Sequence, residues 1–161
     1  EKPMDWIRTI KTLPRRVILP VAVGLLGNLL LLSPAHAAED YAIFSLDSGF
    51  EEISINKARK LYRGKTKRLD GKRVELSDWP ENSSEREVFY QQLLGKNAAQ
   101  MNAHWASLSF SGKARYPREI KSASTEALVD WLDDKPNRIG YAPLSTLPEN
   151  ANVLYVISSE K

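Results

Sequence analysis

Asp78-Trp-Pro-Glu-Asn-Ser-Ser-Glu-Arg-Glu-Val-Phe-Tyr-Gln-Gln-Leu-Leu-Gly95 reads as a polar loop that turns into an amphipathic helix. Ser83 and Ser84 compete for the N-cap, Arg86 falls in the first turn, and Phe89, Leu93 and Leu94 share an apolar side. A helix start exposes backbone N–H groups that no earlier carbonyl satisfies. With two hydroxyls and a guanidinium beside them, this is the best anion site that the residues offer. The bland reading is a capping box of Ser84 with Glu87, which needs no ligand.

Outward from this stretch, strand and helix signals alternate. Tyr41 to Leu46 is apolar and aromatic enough for a strand, and Asp47-Ser48-Gly49 closes it as a turn. Ser54 caps a helix carrying Ile55, Ala58, Leu61 and Tyr62, with Gly64 placed as its terminating glycine. Strand, short loop and helix together read as the first half of a βαβ unit. Asp70-Gly71 marks a hairpin-like turn before a strand at Arg73–Leu76. Asn97 caps a helix through Leu108, Phe110 to Pro117 is a loop, and Ser124 or Thr125 caps a further helix. Arg138–Tyr141 and Val153–Ile157 read as strands, with Pro143 opening a brief helical turn through Leu147. The expected class is α/β, a mainly parallel or mixed sheet flanked by helices.

The first 37 residues stand apart. Arg8, Lys11, Arg15 and Arg16 precede a mostly apolar run, Val17–Leu32, and Ser33-Pro-Ala-His-Ala37 ends in the small residues that signal peptidase reads. A run of 16 residues holding Pro20, Gly24, Gly27 and Asn28 is short for a membrane span. The expectation is a signal peptide cleaved after Ala37, a periplasmic location and no membrane attachment once it is removed. Arg15-Arg16 is a weak twin-arginine pattern, and nothing in the chain requires export in the folded state, so the general secretory route is expected.

This leader also carries the charge. Of 23 Lys+Arg and 20 Asp+Glu in the chain, it holds five and two, leaving 18 of each in residues 38–161. Net charge near zero removes the composition argument for nucleic acid. The 124 residues that follow suffice for one domain, with Trp79, Trp105 and Trp131 as large core candidates. No cysteine is present, so neither a disulfide nor a lipid anchor on cysteine is available.

Catalytic chemistry is poorly supplied. His104, the one histidine after residue 37, neighbours Trp105 on a helix and reads as a packing or hydrogen-bonding residue. With one imidazole and no thiol, metal sites of nitrogen and sulfur lose most of their ligands, and no cofactor is expected. Glu51-Glu52 and Asp133-Asp134 are adjacent, so in regular structure their side chains diverge. No phosphate-loop or dinucleotide pattern occurs. The inventory favours a binding protein over an enzyme. In open α/β sheets ligands sit beyond the carboxyl ends of the strands. Three loops are expected there: Asp47–Gly49, Glu81–Arg86, and Ser111–Tyr116 with Lys113 and Arg115. Separately, Lys57 to Arg73 holds nine basic residues against Asp70 alone, a solvated face or a surface for an acidic partner.

The motif order resembles a known family. Ile53-Ser-Ile55 with Ala58-Arg-Lys-Leu-Tyr-Arg-Gly-Lys65, then Ser83-x-x-Arg86-x-x-Phe89 with Leu93-Leu94-Gly95, Trp105 with Phe110-x-Gly112, and Ile139-Gly140-Tyr141 are similar to short phosphate-binding-protein-like periplasmic domains. These domains resemble the substrate-binding component of phosphate ABC transporters. The resemblance covers Tyr41 to Ile157 and implies one lobe of a type 2 periplasmic binding protein-like fold. It also implies a non-catalytic role in binding phosphate or another small oxyanion, accessory to phosphate uptake. The residues it carries over are Ser83, Ser84 and Arg86, with Ser48 and Gly49 as weaker partners. Two departures weigh against tight binding: the chain is one lobe long, and Asn82-Ser-Ser-Glu85 replaces a Ser-Gly-Thr type loop and brings in a carboxylate. The alternative is an interaction module with a periplasmic protein partner or a homodimer, which keeps the fold without the ligand.

Overall fold

Tyr41–Ser45 forms β1, buried along its whole length, as a strand covered on both faces must be. The computed structural model describes residues 38–160, and the leader expected over residues 1–37 lies outside them. The elements that follow are α1 (Ile55–Tyr62), a hairpin of β2 (Arg68–Leu69) and β3 (Lys72–Arg73), β4 (Glu75–Asp78), α2 (Ser84–Leu94) and α3 (Ala98–Phe110). Then come β5 (Arg118–Glu119), α4 (Thr125–Asp133), β6 (Arg138–Pro143), a 3₁₀ turn at Leu144–Thr146 and β7 (Asn152–Ile157). Among the described residues no helix is long and apolar enough to cross a membrane.

The sheet order is β5-β4-β6-β1-β7. It is α/β and mixed: β4 pairs parallel with β5 and β6, whereas β1 pairs antiparallel with both β6 and β7. The expected βαβ unit at the chain start is therefore absent. β1 and α1 do not lead into a parallel neighbour, because β1 is enclosed by two strands from the C-terminal part of the chain. That reversal has a consequence for function. The loop after β1 emerges beside the amino ends of β4 and β6, where Ser45 Oγ donates to the Arg138 carbonyl at 2.8 Å.

Local signals hold at most helix ends. Ser54, Ser83, Asn97 and Ser124 are the four N-caps, each accepting from the backbone N–H three residues on. A reciprocal capping box forms at Asn97 with Gln100, and the one expected at Ser84 with Glu87 does not. Ser83 wins that N-cap, and Glu87 instead accepts from the Ala98 N–H at 2.8 Å, tying α2 to the start of α3. Asp70 and Gly71 take positive φ values of 48° and 76°, as a two-residue hairpin turn requires.

Helices cover both sides of the sheet. Tyr141 of β6 meets Tyr62 of α1 and Phe89 and Tyr90 of α2, while its neighbour Gly140 faces Leu128 of α4. Trp79 and Trp105 are buried in the core, whereas Trp131 is only partly buried and lies under the Arg138 guanidinium at 4.3 Å. Gly140 is a packing glycine. A Cβ there would stand 2.6 Å from Leu128 Cδ1 and 2.7 Å from Ser77 Oγ. Gly140→Ala is expected to lift α4 and cost about 1–3 kcal/mol, read as a lowered urea midpoint. An unchanged midpoint would show that Leu128 can move aside.

Candidate functional site

The start of α2 follows the carboxyl end of β4, the position where open parallel sheets hold ligands. Ser83 accepts from the Arg86 N–H at 3.4 Å and donates its own proton to the Pro80 carbonyl at 2.7 Å. Its one hydroxyl proton is thus taken within the turn. Ser84 is exposed, and its hydroxyl donates to the Glu85 carboxylate at 3.3 Å.

Arg86 is the unexpected residue. It is buried rather than presented, because Phe89, Tyr90 and Leu93 follow it at helical spacing and turn the same side of α2 into the core. Its Nη1 donates to the Trp79 carbonyl at 3.1 Å and to Glu119 of β5 at 3.5 Å, and its Nη2 donates to Asn102 of α3. Its Nε lies 3.4 Å from Asp78 Oδ2 as an ion pair. Asn102 is held in turn by Glu81, to which its amide donates at 2.9 Å.

Asp78 anchors this network at the end of β4. Its carboxylate accepts from the Trp79 N–H at 3.0 Å, from Tyr90 OH at 2.6 Å and from Tyr141 OH. Burial pushes its pKa above the ordinary carboxylate value, against the opposing pull of Arg86 and these donors. Burial, and then the charge of Asp78, raise Tyr90 and Tyr141 well above the usual phenol range, so both stay protonated donors. Trp79 completes the knot by donating its indole N–H to the Tyr141 carbonyl at 2.6 Å. Paired and hydrogen-bonded in this way, the charges fasten β4, β5, β6, α2 and α3 together.

Carboxylates gather at this end of the sheet. Tyr41 is pushed up to about 12 by burial, and then by the charges of Glu85 and Glu39. A nearby cavity of about 570 Å³ is lined by Glu39, Asp40 and Glu160 together with Ser145, Ser158 and Ser159. Asp40 is held below the ordinary range by the Ser159 N–H, which it accepts at 2.8 Å. What remains open to an anion at α2 is the part of the first-turn backbone that Ser83 does not cap, with Glu85 and Glu87 in the same turn and the Ser84 hydroxyl already directed to Glu85.

Ser83, Ser84 and Arg86 share the start of α2, but their side chains diverge, Arg86 into the core and Ser84 toward solvent, and Ser48 and Gly49 lie elsewhere. Gly49 donates its N–H to Asp47 at 2.8 Å, and Asp47 pairs with Lys72 of β3 at 3.4 Å, at the amino ends of β4 and β6. The Ser111–Tyr116 loop precedes β5, which runs parallel to β4, so it too lies at the amino ends. Of the three loops expected at the carboxyl edge, one is there. His104 donates from Nε2 to the Arg63 carbonyl at 2.9 Å and packs edge-on to Trp105. Among the described residues no three His, Asp or Glu side chains converge as a metal site needs.

Asp78, Asn102 and Glu119 are the network residues that sequence reading passed over. A signal for Arg86 burial was present in the i+3, i+4 and i+7 spacing of Phe89, Tyr90 and Leu93. Its partners carried none, since Asn102 and Glu119 are 16 and 33 residues away.

This architecture has counterparts among solved structures. One, from Clostridium perfringens, is assigned as a phosphate ABC transporter substrate-binding protein and was determined by X-ray crystallography with phosphate bound. It matches with a TM-score of 0.54 and 12% identity, over 72% of this chain and 44% of its own. The other, an ABC-type phosphate transport receptor from Vibrio cholerae, matches with a TM-score of 0.54 and 7% identity, over 72% and 45%. The fold is similar to part of a phosphate-binding protein. The chain spans less than half the length of either, and the identities are low enough that the likeness concerns fold alone. No family model matches the sequence, and no curated protein matches it.

Proposed function

We propose that this chain is an exported, non-catalytic domain of the solute-binding type that keeps the lobe fold and serves as a protein-interaction module in the periplasm. The observation that carries this reading is the state of Arg86. Its positive charge is answered by Asp78 and Glu119, and its Nη donors are directed to Trp79 and Asn102; Nε lies 3.4 Å from Asp78 without a hydrogen bond to it. An oxyanion at α2 would have to compete with carboxylates already in place, and Glu85 adds a further negative charge in the first turn.

The second reading, binding of phosphate or a related small oxyanion at Ser83, Ser84 and Arg86, is favoured by the helix start itself and by the phosphate bound in the Clostridium perfringens relative. Ser48 and Gly49 belong to it only through a second lobe or a homodimer, because within this lobe they sit at the far end of the sheet. Calorimetric titration of residues 38–161, whose core is closed within itself, separates the two. The expected result is no saturable heat with phosphate or sulfate at millimolar concentration, at low or moderate salt. A saturable isotherm strengthened by Glu85→Gln would establish the oxyanion reading and overturn the proposal.

A further inference from the structure

A cavity of about 790 Å³ opens at the other end of the sheet, between the β2–β3 hairpin and the segment that leads into β5. Its lining includes Lys67 and Arg73 from one wall and Arg115 and Arg118 from the other. The two pairs come from regions more than 40 residues apart, brought together because β5 docks on β4 while the hairpin runs directly into it. None of the four cations forms an ion pair among the described residues. The one acidic residue in the lining, Glu75, is held by Arg138 and Lys135 at 3.4 and 3.6 Å. In a domain with equal numbers of acidic and basic residues, this is a concentrated positive field.

One further observation bears on the occupant. Tyr116, on the cavity wall, is 51% exposed, and Phe110, beside Ser109 of the lining, is 97% exposed. Both rings are open to solvent on the Ser109–Arg118 segment that forms one wall of the groove.

We infer that this groove docks an acidic, extended segment of a partner protein, its carboxylates among Lys67, Arg73, Arg115 and Arg118 and its apolar side chains against Tyr116 and Phe110. The inference rests on the interaction reading above and names its surface and the chemistry of its partner. The concave shape suits a chain segment rather than a flat bilayer. It is also separate from the α2 start, which lies at the opposite ends of the same strands.

The probe is a fluorescein-labelled peptide alternating glutamate with leucine, titrated into residues 38–161 by anisotropy, with amide shifts mapped by NMR. Binding is expected at low salt and weaker at moderate salt, with shifts confined to Thr66–Leu76 and Ser109–Arg118. Lys67→Glu with Arg115→Glu is expected to weaken it by about tenfold or more, and Phe110→Ser by a smaller factor. All three side chains are exposed, so the melting temperature should be unchanged, which separates lost docking from lost folding. The lysine-for-glutamate peptide should not bind, and phosphatidylglycerol vesicles should not sediment the domain. No binding of the acidic peptide, indifference to the charge reversals, or vesicle binding lost in those variants would each overturn the inference. The two failures are distinguishable: phosphate shifts mapped to Ser83–Glu85 overturn the reading of the α2 end, whereas these results bear on the groove.

Discussion

Arg86→Ala is expected to lower the unfolding free energy by about 3–5 kcal/mol at neutral pH, the usual cost of leaving one member of a buried ion pair alone. Asp78 would then keep its three donors but lose its counter-charge, while Asn102 and the Trp79 carbonyl would lose theirs. The loss should depend on pH with a definite sign. Burial already raises the Asp78 pKa in the folded protein, and Arg86 is the largest influence holding it down. Without Arg86 the folded state retains that proton to higher pH than the unfolded chain, whose carboxyl titrates near 4 (about 3.9). Between the two values the folded state binds more protons, so stability falls as pH rises through that window and recovers on acidification. On acidification from neutral pH the variant should therefore gain stability relative to the unsubstituted protein, and the Asp78→Asn, Arg86→Ala double variant should not. Urea unfolding across pH checks this. A variant as stable as the parent at pH 7 would show that Arg86 reaches solvent rather than anchoring the network.

Phe89→Ala is expected to cost a similar amount, about 3–5 kcal/mol. The Phe89 ring is fully buried and lies on Tyr141 with centroids 3.5 Å apart and planes 4° from parallel. It also meets the Tyr62 ring edge-on at 4.9 Å and that of Tyr90 at 5.5 Å. Removing it leaves a void bordered by three tyrosines, two of which donate to Asp78. Its effect should therefore not add to that of Tyr141→Phe, since both loosen the placement of one hydroxyl. A double-mutant cycle by urea unfolding reads the coupling. A loss of only about 0.5 kcal/mol, as for an exposed site, would show that the cluster closes over the gap.

The two substitutions bear on function through the same residues. The motif that most resembles a phosphate loop, Ser83-x-x-Arg86-x-x-Phe89, carries two residues whose side chains go into the core. In this chain the spacing is accounted for by packing. That is why a binding assay on Arg86→Ala alone would mislead, and why Glu85→Gln is the better probe of anion binding.

How much was legible in the sequence follows from how far each interaction reaches. Caps at Ser54, Ser83, Asn97 and Ser124, the Asp70-Gly71 turn and Gly95 closing α2 with φ of 64° all depend on contacts within a few residues, so local residue chemistry determined them. Most of the element order followed too, and with it the α/β class; β5 (Arg118–Glu119) was not expected, and the strand expected at Arg73–Leu76 is shifted to Glu75–Asp78. Tertiary structure alone decided that β1 runs antiparallel between β6 and β7. Strand direction in a sheet depends on pairing across the whole chain, and no local periodicity encodes it. That one decision sent Ser48 and Gly49 to the far end from Ser83. Likewise, the buried partners of Arg86 and the four cations of the groove come from segments distant in sequence and meet only because β5 docks on β4.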